Sequence, residues 1–183
     1  ETAAEHAACK ARNHGLTPVQ FLDKLGALEG ALLAHCVHVE ERDIELIAKR
    51  GAVVLHNPQS NLKLGSGIAP LPAMLRAGCK VSLGTDGAAS NNNLDMFEEM
   101  RLAATLHKGA NQDATIVSVQ EALSMATANG SEALGFDGGK LEEGKLADVI
   151  MIDANTPAML PGNDPAADIV YSAGSGEVLL NMV

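Results

Sequence analysis

The chain has 183 residues, with 23 Asp and Glu against 13 Lys and Arg, a formal charge of −10, and 46% apolar residues. That length allows one domain, or one and a fraction, and the acid surplus excludes broad binding of phosphate backbones or anionic membrane surfaces. The four aromatics, Phe21, Phe97, Phe136 and Tyr171, leave the core to aliphatic residues, and no apolar run approaches the roughly 20 residues a spanning helix needs. In chain order, the Ala-rich stretch from Thr2 to His14 predicts a helix with acids early and bases late, stopped by Gly15. Thr17-Pro18 opens a second helix over PVQFLDKLGAL. ALLAHCV reads as a short strand buried on both faces, EERDIELIAKR as an amphipathic helix ended by Gly51, and AVVLHN as another buried strand. Pro70 to Ala77 predicts a short helix, KVSLGTDG a third strand running into a Gly-rich turn, and 94–108 and 119–134 two more helices. This is strand then helix three times over, a parallel α/β arrangement. The tail changes character: ADVIMID and the two runs in AADIVYSAGSGEVLLNMV read as strands of a separate sheet.

Cys9, Cys36 and Cys79 are odd in number and widely spaced, which argues against a disulfide framework and fits a reducing cytoplasm. Cys36 and Cys79 sit in apolar runs and read as small core residues. In parallel α/β folds the polar residues at the carboxyl ends of strands point into the site. That rule selects His35 with His38 after the first strand, His56-Asn57 leading into Pro58-Gln59-Ser60-Asn61 after the second, and Asp86 within Gly84-Thr85-Asp86-Gly87 after the third. Gly-Thr-Asp-Gly by itself fits an Asx turn as well as a site, and a single strand-end His is commonly a buried, hydrogen-bonded one. Three such strand ends together favour a site. His56 reads as a support for the Ser60-Asn61 loop, and His6, His14 and His107 as surface or packing residues. At least one of Glu98 and Glu99 on the following helix reads as part of a solvated face.

The segments ALLAHCVHV, HNPQSNLKLGSGIAPLPAML and VSLGTDGAASNNNLDMFEEMRLA resemble the 5-methylthioadenosine/S-adenosylhomocysteine deaminases of the amidohydrolase superfamily. The resemblance runs through nearly the whole chain, including GKLEEGKLADVIMID. It implies a (β/α)8 barrel with one catalytic divalent metal, zinc or iron, held by a His-x-His pair from the first strand, a His from the fifth and an Asp from the eighth. GTDG matches the eighth-strand motif, so Asp86 is the expected metal ligand and acceptor of a proton from the bound water. AHC matches the sixth-strand motif, which makes His35 the group that polarises the water or the developing oxyanion-like centre. The fifth-strand motif is His-x-x-Glu-Thr and the chain opens with Glu-Thr, so Glu1 is the expected acid at the purine ring nitrogen and the departing amine. Ser90 in the AASNN segment is expected to contact the purine. Read this way, catalysis falls to Glu1, His35 and Asp86, substrate binding to Glu1, Asp86 and Ser90, and metal ligation to Asp86.

Nothing in these residues matches the His-x-His pair or the fifth-strand His, and such a barrel takes about 250 residues. The expectation is therefore the carboxyl-terminal part of a (β/α)8 barrel, strands six to eight, over 1–138, with the start of a small β-domain over 139–183. The expected activity of the full-length parent is hydrolytic deamination of an adenosine-type nucleoside to the inosine analogue and ammonia. Alternatives are a related purine or triazine amidohydrolase, or an inactive fragment that lacks three metal ligands. The expected partners are a small nucleoside substrate and the missing amino-terminal half of the barrel, with no nucleic-acid polymer and no membrane; a homo-oligomer stays open.

Overall fold

The computed structural model describes residues 1–183. Its first helix, α1 (Ala3–Arg12), begins where the sequence places it, because Thr2 and Glu5 cap one another: the Thr2 hydroxyl accepts from the Glu5 N–H and the Glu5 carboxylate from the Thr2 N–H. Helix α2 (Pro18–Lys24) starts with Thr17 as its cap and Pro18 in its first turn, and stops four residues short of the predicted end. Strand β1 (Leu32–Ala34), helix α3 (Glu41–Arg50), strand β2 (Val53–His56), helices α4 (Pro58–Lys63) and α5 (Leu71–Arg76), strand β3 (Lys80–Leu83) and the single turn α6 (Ala88–Asn91) follow. Beyond them lie α7 (Met96–Asn111), α8 (Val119–Ala126), α9 (Ala128–Leu134), β4 (Val149–Ile152), α10 (Pro165–Tyr171) and β5 (Val178–Met182). The chain divides into two units, Glu1–Asn92 and Asn93–Val183.

In the first unit β1, β2 and β3 form one parallel sheet in that order, with Leu32 opposite Val53 and Val54 opposite Val81. Parallel pairing turns every carboxyl end toward the same edge, which is what gathers residues 35, 57 and 86. Helix α3 packs against α2 and α5. It ends at Gly51, whose φ of 64° suits a residue without a Cβ. Leu28, Ile47, Leu71 and Met74 are fully buried around it, each worth about 1.5–3 kcal/mol by burial. Asp43 is buried in the same region and accepts from the Thr17 hydroxyl at 2.6 Å, the Gln20 amide at 2.9 Å and the Glu40 N–H at 2.9 Å. It thereby ties the start of α3 to the start of α2.

In the second unit the small residues Ala104 and Ala122, with Val170, let α7, α8 and α10 come together, and Val119 and Leu123 pack on them. The Arg101 guanidinium donates to the carbonyls of Tyr171 and Ala173, satisfying groups that the end of α10 leaves open. Strands β4 and β5 pair antiparallel in a sheet of their own. No helix is long and apolar enough to cross a membrane.

Four local expectations are corrected. β1 is not buried on both faces: it pairs with β2 alone, and Leu32 is 43% exposed. The Pro58–Asn61 loop is the start of α4, because Pro58 stands in the first turn where its missing N–H costs nothing. The helix expected over 119–134 is two helices; the Thr127 hydroxyl donates to the Leu123 carbonyl, a local bond that competes with the helical ladder, and the backbone breaks there. AADIVY is α10 rather than a strand, since the Asp164 carboxylate accepts the N–H groups of Ala166 and Ala167 and Pro165 presets the first turn.

Candidate active site

The site lies wholly within the first unit, at the carboxyl edge of its sheet. β1 ends in two residues in the left-handed region, His35 at φ 69° and Cys36 at φ 46°, and Asp86 beyond β3 has φ 59°. Side chains with a Cβ rarely adopt that conformation. At His35 it is held by a hydrogen bond from its N–H to the Leu55 carbonyl, which continues the ladder for one residue after the strand has turned.

This turn brings three residues from distant parts of the chain together. His35 Nε2 lies 3.7 Å from Glu1 Oε2 and 4.0 Å from Asp86 Oδ2. His35 is 15% exposed, Glu1 22% and Asp86 33%, so the acids open toward solvent more than the imidazole does. Each of the three is held from behind. The hydroxyls of Ser60 and Ser90 both donate to Asp86 Oδ2 at 2.7 Å. These bonds, Ser60 first, hold the Asp86 carboxyl at about 2, below its ordinary 3.8, with the nearby His35 adding a smaller effect. The Ser66 hydroxyl donates to Glu1 Oε1 at 2.6 Å. On the far side of the ring, His35 Nδ1 is 2.9 Å from Asn61 Oδ1 and 3.5 Å from Asn57 Nδ2. Gly84 makes room for Asn57: a Cβ at position 84 would stand 2.6 Å from Asn57 Oδ1.

The structure thus brings Glu1, His35 and Asp86 into one cluster and places Ser90 on it, through Asp86. It leaves other candidates outside. His56 is buried in the sheet, His38 bonds the Ser66 carbonyl at 2.8 Å, and His6 faces Glu40 on the surface. Cys36 and Cys79 carry no exposed thiolate: burial pushes the Cys36 thiol up to about 12 and raises that of Cys79 as well. His107 and Glu99 are buried in α7. Sequence reasoning assigned no role to Asn57, Ser60, Asn61 or Ser66. Their signal was position, immediately after the carboxyl end of β2, but which of their side chains turn toward the cluster depends on α4, which was not foreseen.

As a metal site this chain offers one good donor. Asp86 is ionised across the neutral range and neither serine hydroxyl engages its Oδ1, which suits a hard oxygen ligand. The described side chains contain no group of three or more His, Cys, Asp or Glu able to hold a cation.

The sequence matches the Amidohydrolase family over residues 1–183. It is 52% identical over 167 residues to the 5-methylthioadenosine/S-adenosylhomocysteine deaminase of Dictyoglomus thermophilum, a match covering 90% of this chain and 39% of that protein. An adenosine deaminase from Xanthomonas campestris with bound zinc superposes with a TM-score of 0.95 at 39% identity, over 100% of this chain and 42% of that one. An atrazine chlorohydrolase from Arthrobacter aurescens TC1 complexed with zinc gives a TM-score of 0.90 at 32% identity, over 100% of this chain and 41% of its own. The chain therefore spans about two-fifths of the length of the proteins it matches.

Proposed function

Because the chain belongs to the amidohydrolase family, we propose that the protein of which these residues form part hydrolyses the C6 amino group of an adenosine-type nucleoside, with Glu1, His35 and Asp86 as its catalytic residues. The observation that carries this reading is the cluster itself: two acidic side chains near one imidazole nitrogen, at 3.7 and 4.0 Å. The 52% identity to a 5-methylthioadenosine/S-adenosylhomocysteine deaminase supports the nucleoside over a triazine, whose hydrolase neighbour is 32% identical.

In this reading residues 1–138 are the part of a (β/α)8 barrel that carries its strands six to eight, and 139–183 begin a small β-domain. Asp86 would hold a divalent metal, zinc or iron, together with ligands from outside these 183 residues. Such a cation lowers the pKa of bound water toward about 7. The reaction forms a bond between the water oxygen and C6 and breaks the bond from C6 to the amine. Glu1, kept in place by Ser66, gives its proton to the adjacent ring nitrogen, which gathers electron density as the oxygen adds. Asp86 accepts the proton that leaves the water, and its serine hydroxyls keep it ionised and ready to do so. His35 Nε2, within 4.0 Å of both acids, orients the attacking oxygen. Passing that proton from Asp86 through the Glu1 carboxyl to the amine lets ammonia leave as the bond from C6 breaks, and the second hydrogen of the attacking oxygen, released as the C6 carbonyl forms, returns to Glu1 by way of Asp86, so that both carboxyl groups regain their starting states. Ser90, whose hydroxyl donates to Asp86, is in this reading the residue that contacts the purine.

The test is the full-length protein with Asp86→Asn and Glu1→Gln, assayed for ammonia release from methylthioadenosine, adenosylhomocysteine, adenosine and a chlorotriazine, with metal content measured in parallel. Asp86→Asn is expected to lose metal and turnover together. Glu1→Gln is expected to keep its metal and lose about 10²–10⁴-fold in kcat, the usual worth of a positioned acid. Full metal occupancy and full deaminase activity in Asp86→Asn would refute the assignment.

A further inference from the structure

We propose that Asn61 is a positioning residue that fixes the tautomer of His35: its amide oxygen keeps the ring proton on Nδ1 and thereby presents the Nε2 lone pair to the reacting centre. The inference deepens the reading above and rests on it for the identity of that centre, though not for the tautomer.

In a neutral imidazole one nitrogen donates and the other accepts, and the hydrogen bond made by one sets the role of the other. Here only one side of the ring meets an uncharged protein acceptor. Asn61 Oδ1 lies 2.9 Å from Nδ1, whereas Nε2 meets only the two carboxylates at 3.7 and 4.0 Å, beyond hydrogen-bond length. The opposite tautomer needs the Asn61 amide turned round, with Nδ2 toward Nδ1. That arrangement would aim two amide donors, Asn61 Nδ2 and the Asn57 Nδ2 already at 3.5 Å, at a single lone pair. With the proton on Nδ1 there is one donor and one acceptor at bonding distance, and the Asn57 amide stays outside it.

Asn61 is also built to hold still. It is 1% exposed, its N–H donates to the Asn57 carbonyl at 3.0 Å, and its own carbonyl accepts from the Ser66 N–H at 2.9 Å. Its backbone is thus anchored at both ends of the turn that also supplies Ser60 to Asp86 and Ser66 to Glu1, and the one hydrogen bond of its side-chain amide is the one to His35 Nδ1. Burial and a fixed backbone restrict where the Asn61 amide can go, and its oxygen is the acceptor that Nδ1 meets. The consequence for chemistry is directional: at Nε2 neutral His35 accepts a hydrogen bond from the O–H of the attacking oxygen, whose proton goes to Asp86, and does not donate one to it.

The experiment uses the full-length protein labelled with ¹⁵N at histidine, with His35 assigned by comparison with His35→Gln, at alkaline pH. Wild type is expected to show the Nδ1–H pattern of ¹⁵N shifts at His35. Asn61→Asp keeps an acceptor oxygen and is expected to keep that pattern. Asn61→Leu removes it and is expected to shift the population toward Nε2–H, with kcat down about 10- to 100-fold, the usual cost of removing an outer partner of a functional histidine, and KM within about twofold. A merely structural role would change stability without moving the tautomer. An Nε2–H pattern in wild type or in Asn61→Asp, or an unchanged pattern and kcat in Asn61→Leu, overturns the proposal. Should Asn61→Leu fail to fold, wild type and Asn61→Asp still decide it. A pinned Nδ1–H in a protein that deaminates no nucleoside would refute the functional reading and leave this inference standing.

Discussion

His107 gives the cleanest handle on how stability follows pH. It is 1% exposed within α7, and burial alone holds its imidazole down at about 4 against an ordinary 6.5. The unfolded chain therefore takes up a proton near pH 6.5 while the folded chain resists until near pH 4. Unfolding is favoured by acid across that window: the neutral ring's contribution is complete above 6.5, falls as pH drops from 6.5 to 4, and changes no further below. The difference of about 2.5 units, at about 1.4 kcal/mol each, sets a full effect of about 3 kcal/mol, of which about 2 kcal/mol is lost by pH 5. With a urea dependence of about 1–3 kcal/mol per molar, the midpoint should drop by roughly 1 M between pH 7.5 and pH 5 on account of this one residue. The assay is urea unfolding followed by circular dichroism at both pH values, for wild type and His107→Gln. The glutamine variant starts less stable but should lack this share of the acid loss. Equal midpoint drops in the two proteins would show that the ring is not held neutral by burial, and the reasoning would fail.

Two further substitutions read the support of the first unit. Asp43→Asn keeps the shape of a buried side chain whose three partners, Thr17, Gln20 and Glu40, all donate; an amide must turn its own N–H₂ toward a donor, so the melting transition should fall by about 1–3 kcal/mol in calorimetry, with hydrogen exchange accelerated at the starts of α2 and α3. Gly84→Ala places a methyl against the Asn57 amide, 2.6 Å from its oxygen; the expected cost is about 1–3 kcal/mol in urea unfolding, and a stability equal to wild type would mean that Asn57 has another place to go.

How far the sequence carried depends on which residues set each element. The caps Thr2 and Thr17, the stop at Gly51 and the apolar run VVLH state their own structures, because each works through neighbours a few residues away. Parallel strands then fix which ends share an edge, so His35 and Asp86 are legible as a pair in the sequence. The exposure of Leu32 was not legible, since the flank of β1 is decided by what pairs with it. The helix over ADIVY lost to its alternating pattern, although Asp164-Pro165 carried the stronger local signal. Asn61 and Ser66 could not be assigned because their roles depend on partners 26 and 65 residues away.

Those long separations explain why the segment after β2 matters more than its composition suggests. Non-glycine residues in the left-handed region cost on the order of 1–3 kcal/mol each, and this site has them at His35, Cys36 and Asp86. Left to relax, each would swing its side chain off the edge. The backbone bond from His35 to Leu55 opposes this at one strand end, and the side chains of Ser60, Asn61 and Ser66 oppose it at the groups themselves, one apiece for Asp86, His35 and Glu1. Ser60 and Asn61 are buried at 0% and 1% and sit in α4, and Ser66 follows at 7%. Their positions are therefore set by the core under the sheet, and the strain at the strand ends is resisted by the packing of β2 and α4. The geometry of the cluster is in this sense a property of the core, so substitutions that loosen α4 should disturb Glu1, His35 and Asp86 together, while those that loosen only one strand end should disturb one.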